Sequence, residues 1–362
     1  MNIIINQESL RRAAHMVERL VSKNVSLPIL NTILLKTENG RLRLSATNLE
    51  MGINYWIAAK INQEGEVAVP ARVFSDFINN IKDEKTTLVS NKNVITINSD
   101  HYQTTILGTE TKDFPLIPRV KNAIQFKIDS QDLISGLNSV LDSVSLSETR
   151  PEISGVFVNI LKEKVEFAAT DSFRLAEKII NLNSGINKSI IIPRAAALEL
   201  SKIAESTEGE ITIAISDNQI FALGSDFEFI SRLIDGHYPE YKKVIPEKFI
   251  SSVKINKGDL ERNIRLASIF SSSIFDVKLK TDTVSMQIAA KNSDRGEILA
   301  SIPCQSETEP FEISVNYRYL LDGLRVIPGE NILIQFTGDG SPLVLKSENE
   351  KNQTYVIMPL RS

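Results

Sequence analysis

Little in this chain invites a chemical reading. Its 362 residues hold one cysteine, one tryptophan and three histidines. A single thiol, Cys304, excludes a disulfide framework and reads as a small buried hydrophobe. His15, His101 and His237 stand at unrelated positions, none at metal-ligand spacing or beside a serine elbow. No glycine-rich loop closes on Lys-Ser/Thr, so a phosphate cradle for nucleotide hydrolysis is missing. No apolar run reaches about 18 residues and the first residues lack a basic-then-apolar leader, so the expected location is the cytoplasm, away from any membrane. The expectation is a non-enzyme with no metal and no cofactor. With 42% apolar residues the chain can fill several cores, and its length suits two or three domains.

What is present is repetition. Val69-Pro70-Ala71-Arg72, Ile192-Pro193-Arg194 and Val315-Asn316-Tyr317-Arg318 each open an apolar-periodic segment, and the three arginines lie 122 and 124 residues apart. A second pattern starts at Glu8-Ser9-Leu10, Ser130-Gln131-Asp132-Leu133 and Lys257-Gly258-Asp259-Leu260, each after a short β-like run. A third joins Leu44-Ser45-Ala46-Thr47-Asn48 to Phe167-Ala168-Ala169-Thr170-Asp171, 123 residues apart, with a degraded copy at Met286–Ala290. Solenoid units span about 20–50 residues, so so long a period means repeated domains.

Within each third, two amphipathic helices stand among short alternating strands such as Val94-Ile95-Thr96-Ile97 and Ile332-Leu333-Ile334-Gln335-Phe336. The six helices are expected at 8–20, 71–82, 130–144, 194–205, 257–270 and 316–327. The fold class is therefore α+β, with antiparallel sheets carrying helices on one face. Proline-marked segments, Asp113–Pro118 and His237–Pro246, place the boundaries at 1–120, 121–248 and 249–362. Thr170-Asp171 has the look of a carboxylate catalyst. Its first copy reads Thr47-Asn48, and a position that takes acid or amide serves a turn or cap.

Ala169-Thr170-Asp171-Ser172-Phe173-Arg174-Leu175-Ala176, Tyr238-Pro239-Glu240-Tyr241-Lys242-Lys243-Val244-Ile245-Pro246 and Tyr355-Val356-Ile357-Met358-Pro359-Leu360-Arg361 resemble the bacterial sliding clamp, the β subunit of replicative DNA polymerase III. Leu27-Pro28-Ile29-Leu30, Asn48-Leu49-Glu50-Met51 and Asn316-Tyr317-Arg318-Tyr319-Leu320-Leu321-Asp322 extend the likeness, in order, over the chain. The resemblance implies three DNA-clamp domains per protomer and a head-to-tail homodimer closed into a ring around duplex DNA. Twelve helices at about 10 Å spacing leave an opening of about 28 Å, wide enough for a duplex of about 20 Å.

Charge tests that picture. The net charge is −4, yet the six helices hold 12 basic and 10 acidic residues against 29 and 35 elsewhere. The bias has the right sign but is too small to grip phosphates by counterion release. Enclosure needs no such grip. On this reading Arg11, Arg12, Arg19, Arg72, Arg194, Lys202, Arg262, Arg265, Arg318 and Arg325 face DNA from the helices, and by the resemblance Lys23, Asn24 and Arg150 do so from loops.

The resemblance further implies a dimer interface, in which Tyr102, Ile106 and Leu107 on an edge strand meet Ile298 and Ala300, with Ile269 and Phe270 alongside. It also implies a groove for peptide tails of the polymerase III α subunit, the clamp loader, repair polymerases and other proteins with a clamp-binding motif. Carried over by position, the groove comprises Ile153, Thr170, Ser172, Phe173, Arg174, Leu175, Pro239, Lys243, Val244, Asn316, Tyr319, Met358, Pro359, Leu360 and Arg361. Arg174 and Arg361 are expected to receive carboxylates or carbonyls of the peptide. Phe173 and Lys243 depart from the family's usual residues, a histidine or tyrosine and an arginine, which bears on partner preference. The rival reading is a repeat scaffold that binds proteins without encircling DNA.

Overall fold

A computed structural model describes residues 1–21, 27–121, 123–147, 149–306 and 309–360. The first third runs β1 (Asn2–Asn6), α1 (Gln7–Glu18), β2 (Thr32–Glu38), β3 (Arg41–Thr47), β4 (Met51–Ala58), β5 (Lys60–Gln63), β6 (Glu66–Pro70), α2 (Ala71–Asn80), β7 (Lys85–Asn91), β8 (Val94–Asn98) and β9 (Gln103–Leu107). The second runs β10 (Ile124–Asp129), α3 (Ser130–Asn138), β11 (Gly155–Leu161), β12 (Lys164–Thr170), β13 (Arg174–Asn181), β14 (Lys188–Pro193), α4 (Arg194–Glu205), β15 (Glu210–Ile215), β16 (Gln219–Leu223) and β17 (Phe227–Arg232). The third runs β18 (Ser251–Asn256), α5 (Lys257–Ser268), β19 (Asp276–Thr281), β20 (Ser285–Asn292), β21 (Gly296–Ser306), β22 (Glu312–Asn316), α6 (Tyr317–Val326), β23 (Asn331–Phe336), β24 (Leu343–Ser347) and β25 (Gln353–Ile357).

One topology serves all three. The antiparallel order β1-β7-β8-β9 recurs as β10-β15-β16-β17 and β18-β23-β24-β25; β6-β2-β3-β4 recurs as β14-β11-β12-β13 and β22-β19-β20-β21. Neighbouring repeats share sheets. β4 pairs with β17, Tyr55 opposite Phe227, and β13 pairs with β25, Arg174 opposite Ile357. The result is sheets of five, eight and twelve strands. The chain forms two compact units, one of residues 1–131 and 199–233, the other of 132–198 and 234–362. The middle repeat divides between them because each of its sheets continues a sheet of a neighbouring repeat.

Local chemistry repeats with the topology. Asn6, Asp129 and Asn256 end the first strand of each repeat, and their side chains accept from Ser9 N (3.0 Å), Gln131 N (2.9 Å) and Asp259 N (3.0 Å). Each satisfies an orphan donor of the helix that follows. Pro70 and Pro193 terminate β6 and β14, the edge strands of the eight- and twelve-stranded sheets, where a missing N–H is harmless. In α1, Leu10, Ala13, Ala14 and Val17 are buried while Glu8, Arg11, Arg12 and His15 face out, the i, i+3, i+4, i+7 stripe of a one-sided helix. Gly136 of α3 lies flush on Phe167; a Cβ there would sit 2.5 Å from the ring, so only glycine lets helix and sheet approach so closely.

One helix is shorter than its pattern. The periodicity predicts 130–144, but α3 ends at Asn138 and a separate 3-10 turn covers Leu141–Ser143. Ser145 N donates to Ile153 O (3.1 Å), pulling the chain out of the helical path, while Leu141 and Val144 stay buried. The apolar period thus continues past the helix end.

Candidate functional site

The turn between β12 and β13 organises a cleft. Thr170 Oγ1 donates to Arg174 O (2.6 Å), and Asp171 Oδ1 accepts from the amides of Phe173 and Arg174 (both 3.0 Å). Ser172 takes the left-handed conformation at φ +77°. The first repeat has the same turn: Thr47 Oγ1 donates to Met51 O (2.9 Å), Asn48 Oδ1 accepts from Glu50 and Met51, and Leu49 has φ +75°. Asp171 is accordingly a turn former, as its amide counterpart suggests.

The turn drives Phe173 outward, 61% exposed, and Arg174 inward. Arg174 Nε donates to Asp171 Oδ2 (2.9 Å), Nη1 meets Asp322, and the guanidinium lies 4.5 Å from the centre of the Tyr319 ring. Burial works against its charge, but Tyr355, Asp322 and Asp171 outweigh that and hold it firmly protonated. Arg174, expected to receive a ligand's carboxylate, is thus already paired with two aspartates of the chain itself.

Around this turn lies a cleft of about 250 Å³. Of the expected groove residues, Ile153, Thr170, Ser172, Arg174, Leu175, Pro239, Val244 and Met358 line it. Leu175 faces Val356 across the β13–β25 ladder, and Met358 N extends the ladder to Phe173 O (2.8 Å). Leu360 does not line the cleft; its N–H is held by Ser314 O (2.8 Å), which ties the chain end down. Pro359 lies beside it, outside the lining. Asn316 is the cap of α6, its Oδ1 accepting from Arg318 N (2.9 Å), and Tyr319 lies beneath Arg174. Lys243 points to solvent and pairs with Glu240. Arg361 lies outside the described residues.

Three lining residues escaped the sequence reading: Glu240, Tyr241 and Val356. All sit inside motifs already noted, and only the fold shows which of their side chains turn inward. Arg150, expected to face DNA, lines the cleft, donating to Glu152 Oε1 (3.0 Å) and to Ser172 Oγ (3.3 Å). The 3-10 turn at Pro151–Ile153, whose Ile153 is buried, fixes it there.

The helix cations are less free than their number suggests. Arg11 pairs with Glu8, Arg72 with Asp76, Lys202 with Glu199, Arg262 with Asp259, Arg265 with Glu261, and Arg325 with Asp322 and Asp142. Arg318 covers the Phe275 ring at 3.6 Å. Arg194 is half-buried, with Nε unpartnered. Arg19, expected to face DNA, is largely buried against Glu199 (2.9 Å). Arg12 is exposed and forms no ion pair among the described residues. Lys23 and Asn24 lie outside them.

Among the open strand margins of the described residues are two of the kind that joins repeats within the chain. β9 pairs only with β8, and the Gly296–Ile302 stretch of β21 pairs only with β20. Leu107 is 73% exposed and Leu299 69%; Ile269 is exposed, Tyr102 half-exposed and Phe270 intermediate. Ile106 is buried opposite Ile95, and Ile298 and Ala300 are half-buried, in step with the buried Ile302. Leu299, not singled out in the sequence, faces out.

Among the described residues no helix is long and apolar enough to cross a membrane. Family models of the DNA polymerase III beta subunit match in succession: the N-terminal domain over residues 1–118, the central domain over 127–240 and the C-terminal domain over 242–361. The beta sliding clamp of Staphylococcus epidermidis is 29% identical over 360 residues, covering 95% of each chain. The DNA polymerase III beta subunit of Thermotoga maritima superposes with TM-score 0.95 at 24% identity, over 100% of this chain and 99% of that one. The sliding clamp of Bartonella birtlesii, solved bound to griselimycin, superposes at 0.94 with 26% identity over 100% of both. The same three-part architecture, matched from the first residues to residue 361, makes this chain a member of the DNA polymerase III beta subunit family, the bacterial sliding clamps.

Proposed function

We propose that two copies of this chain close head to tail into a ring that encircles duplex DNA and tethers the replicative polymerase for processive synthesis. The observation that carries this reading is the rule governing the joints between repeats. At each joint inside the chain, the last strand of one repeat's first sheet pairs with the last strand of the preceding repeat's second sheet: β17 with β4, β25 with β13. The same rule leaves β9 and the outer part of β21 unmatched, and these carry the exposed Leu107 and Leu299. Pairing β9 of one copy with β21 of another satisfies the rule twice, and a heterologous contact that returns on itself after two copies makes a closed ring. It also removes two strand edges that otherwise template aggregation.

Domains at 1–120, 121–248 and 249–362 are the repeating units of that ring. Arg11, Arg12, Arg72, Arg194, Lys202, Arg262, Arg265, Arg318 and Arg325 face the duplex in this reading. Most already share a helix neighbour's carboxylate, so their attraction to phosphate is weak and strongly screened, which suits sliding. The clamp contributes position, not chemistry. The cleft beside the Thr170–Arg174 turn is where extended tails of the α subunit, the clamp loader and repair polymerases dock. Ile153, Leu175, Val244, Val356 and the adaptable Met358 receive the apolar anchors.

The ring is tested by loading the protein onto nicked circular plasmid and linearising it. Retention on circles with loss from linear DNA is expected; equal loss from both overturns encirclement and favours a scaffold. Sedimentation mass is expected to be that of a dimer, and Leu107→Asp to yield monomers. Met358→Glu is expected to abolish binding of an α-subunit tail peptide with the dimer intact, and undiminished binding removes the groove assignment.

A further inference from the structure

Two carboxylates lie buried behind the cleft without lining it. Across the β12–β13 ladder Ala168 stands opposite Glu177 and Thr170 opposite Leu175, so Glu166 and Glu177 share the sheet face that carries the cleft. Glu166 is fully buried and Glu177 is 8% exposed. A buried carboxylate is strongly unfavourable without partners, and here every partner is identifiable. Tyr241 Oη donates to Glu177 Oε1 (2.7 Å). Lys242 Nζ donates to Glu166 Oε1 (2.6 Å), Lys164 Nζ approaches the same oxygen (2.7 Å), and Asn159 Nδ2 donates to Oε2 (2.9 Å). Burial would raise the Glu166 carboxyl, but Lys164, Lys242 and Asn159 together outweigh it and keep it below 4.5.

Tyr241 and Lys242 belong to the segment that forms one wall of the cleft through Pro239, Glu240, Tyr241 and Val244. Apart from these contacts the wall is held by aromatic and apolar packing. Its backbone hydrogen bonds are local, from Tyr241 N to Pro239 O, Lys243 N to Glu240 O and Ile245 N to Lys242 O. Among the described residues no backbone bond ties it to the sheet. Tyr241 and Tyr238 pack on Ala168, Leu175, Val356 and Phe157, but apolar contact is non-directional and tolerates sliding. Hydrogen bonds to buried carboxylates do not.

We propose that Glu166 and Glu177 form a two-point clasp that sets the place of the Pro239–Val244 wall and so the width of the peptide cleft, making both positioning residues for docking. The proposal rests on the reading of that cleft as the peptide site. The test compares Glu177→Leu, Tyr241→Phe, their combination and Glu177→Gln, which keeps an acceptor for the tyrosine. The first readout is fluorescence anisotropy of a labelled α-subunit tail peptide at fixed salt; the second is amide hydrogen exchange of the peptide-free dimer.

Glu177→Leu and Tyr241→Phe are each expected to weaken peptide binding about tenfold, the double variant no further, and Glu177→Gln to recover most of the loss. Exchange of amides 240–245 is expected to quicken in the first two variants while β12 and β13 stay protected and DNA retention is unchanged. Unaltered exchange and affinity in Glu177→Leu would overturn the clasp and leave the groove assignment intact. Faster exchange with unaltered affinity would make the pair a fold element only, overturning the positioning role. If instead Met358→Glu binds the peptide as the unmodified chain does, the groove assignment has failed and the positioning role falls with it.

Discussion

The first and second repeats carry the same turn, and the second borders the cleft while a covering segment packs over the first. Pro115 and Pro239 open equivalent covering segments, and two residues on stand Ile117 and Tyr241. In the first repeat Ile117 presses on Gly52, where an added Cβ would lie 3.3 Å from it, and with Val120 covers Ala214, Phe221 and Ile230. One buried polar residue of that sheet, Asn54, accepts within the sheet from Ser45 Oγ (2.7 Å). In the second repeat Leu175 replaces Gly52, Ala168 replaces Ser45 and Glu177 replaces Asn54, so the sheet's polar group must be met from the covering segment. One module thus becomes a filled seam or an open groove through a few side chains, without any change of topology.

That contrast can be broken at several points. The largest effect is expected at the turn's fifth residue, Arg174 against Met51. Arg174→Met leaves Asp171 and Asp322 facing one another without their shared cation, and a loss of about 3–5 kcal/mol is expected in urea unfolding. Met51→Ala, at a partly buried site, is expected to lose about 1 kcal/mol by the same measurement. Next comes Ile117→Tyr, which imposes the second repeat's residue on the first. With Gly52 already in contact, overpacking of about 1–3 kcal/mol is expected, seen as a lowered midpoint without any gain of peptide binding. Smaller still, Asn48→Ala removes the acceptor of two turn hydrogen bonds and is expected to lower stability by about 1 kcal/mol, while Asn48→Asp is close to neutral because Asp171 makes the same bonds.

The smallest effect is expected at the β8–β9 turn, whose counterpart is the β16–β17 turn. The latter is bound to β4 by Trp56 N and Asp226 O (2.8 Å); the former borders an open edge and is closed by His101 Nδ1 against Asp83 Oδ1 (2.7 Å). Ser99 and His101 hold the Asp83 carboxyl down at about 2, and Asp83 lifts His101 above its ordinary 6.5. The raised imidazole contributes stability that is whole below pH 6.5 and fades as pH rises through its folded value. The depressed carboxylate contributes above pH 3.8 and fades as pH falls toward 2. The turn should therefore be firmest between those limits. A His101 side-chain NMR titration is expected to show the raised midpoint, and Asp83→Asn to return it toward 6.5.

Much of this was legible in the residue order. Spacing alone located the repeats, because a duplicated module keeps its caps, edge prolines and turn formers at fixed offsets: Asn6, Asp129 and Asn256, or Pro70 and Pro193. Motifs located the cleft, since Thr170–Leu175 and Tyr238–Pro246 hold most of its lining. Facing was less legible. Strand alternation fixes the period but not its phase, so the residues alone do not say which of Ile106 and Leu107, or of Ile298 and Leu299, faces out. Nor does sequence show partnership across distance. Arg174 and Asp322 are 148 residues apart, and Tyr241 and Glu177 are 64. A charged residue in a strand reads as solvated until something is seen to cover it.

The twelve-stranded sheet from β14 to β22 has a mechanical consequence. Its backbone bonds cross from the second repeat to the third without interruption at β13–β25. Tension applied across that seam loads a zipper of interstrand bonds instead of a flexible tether, so the two repeats should yield together as one element under force.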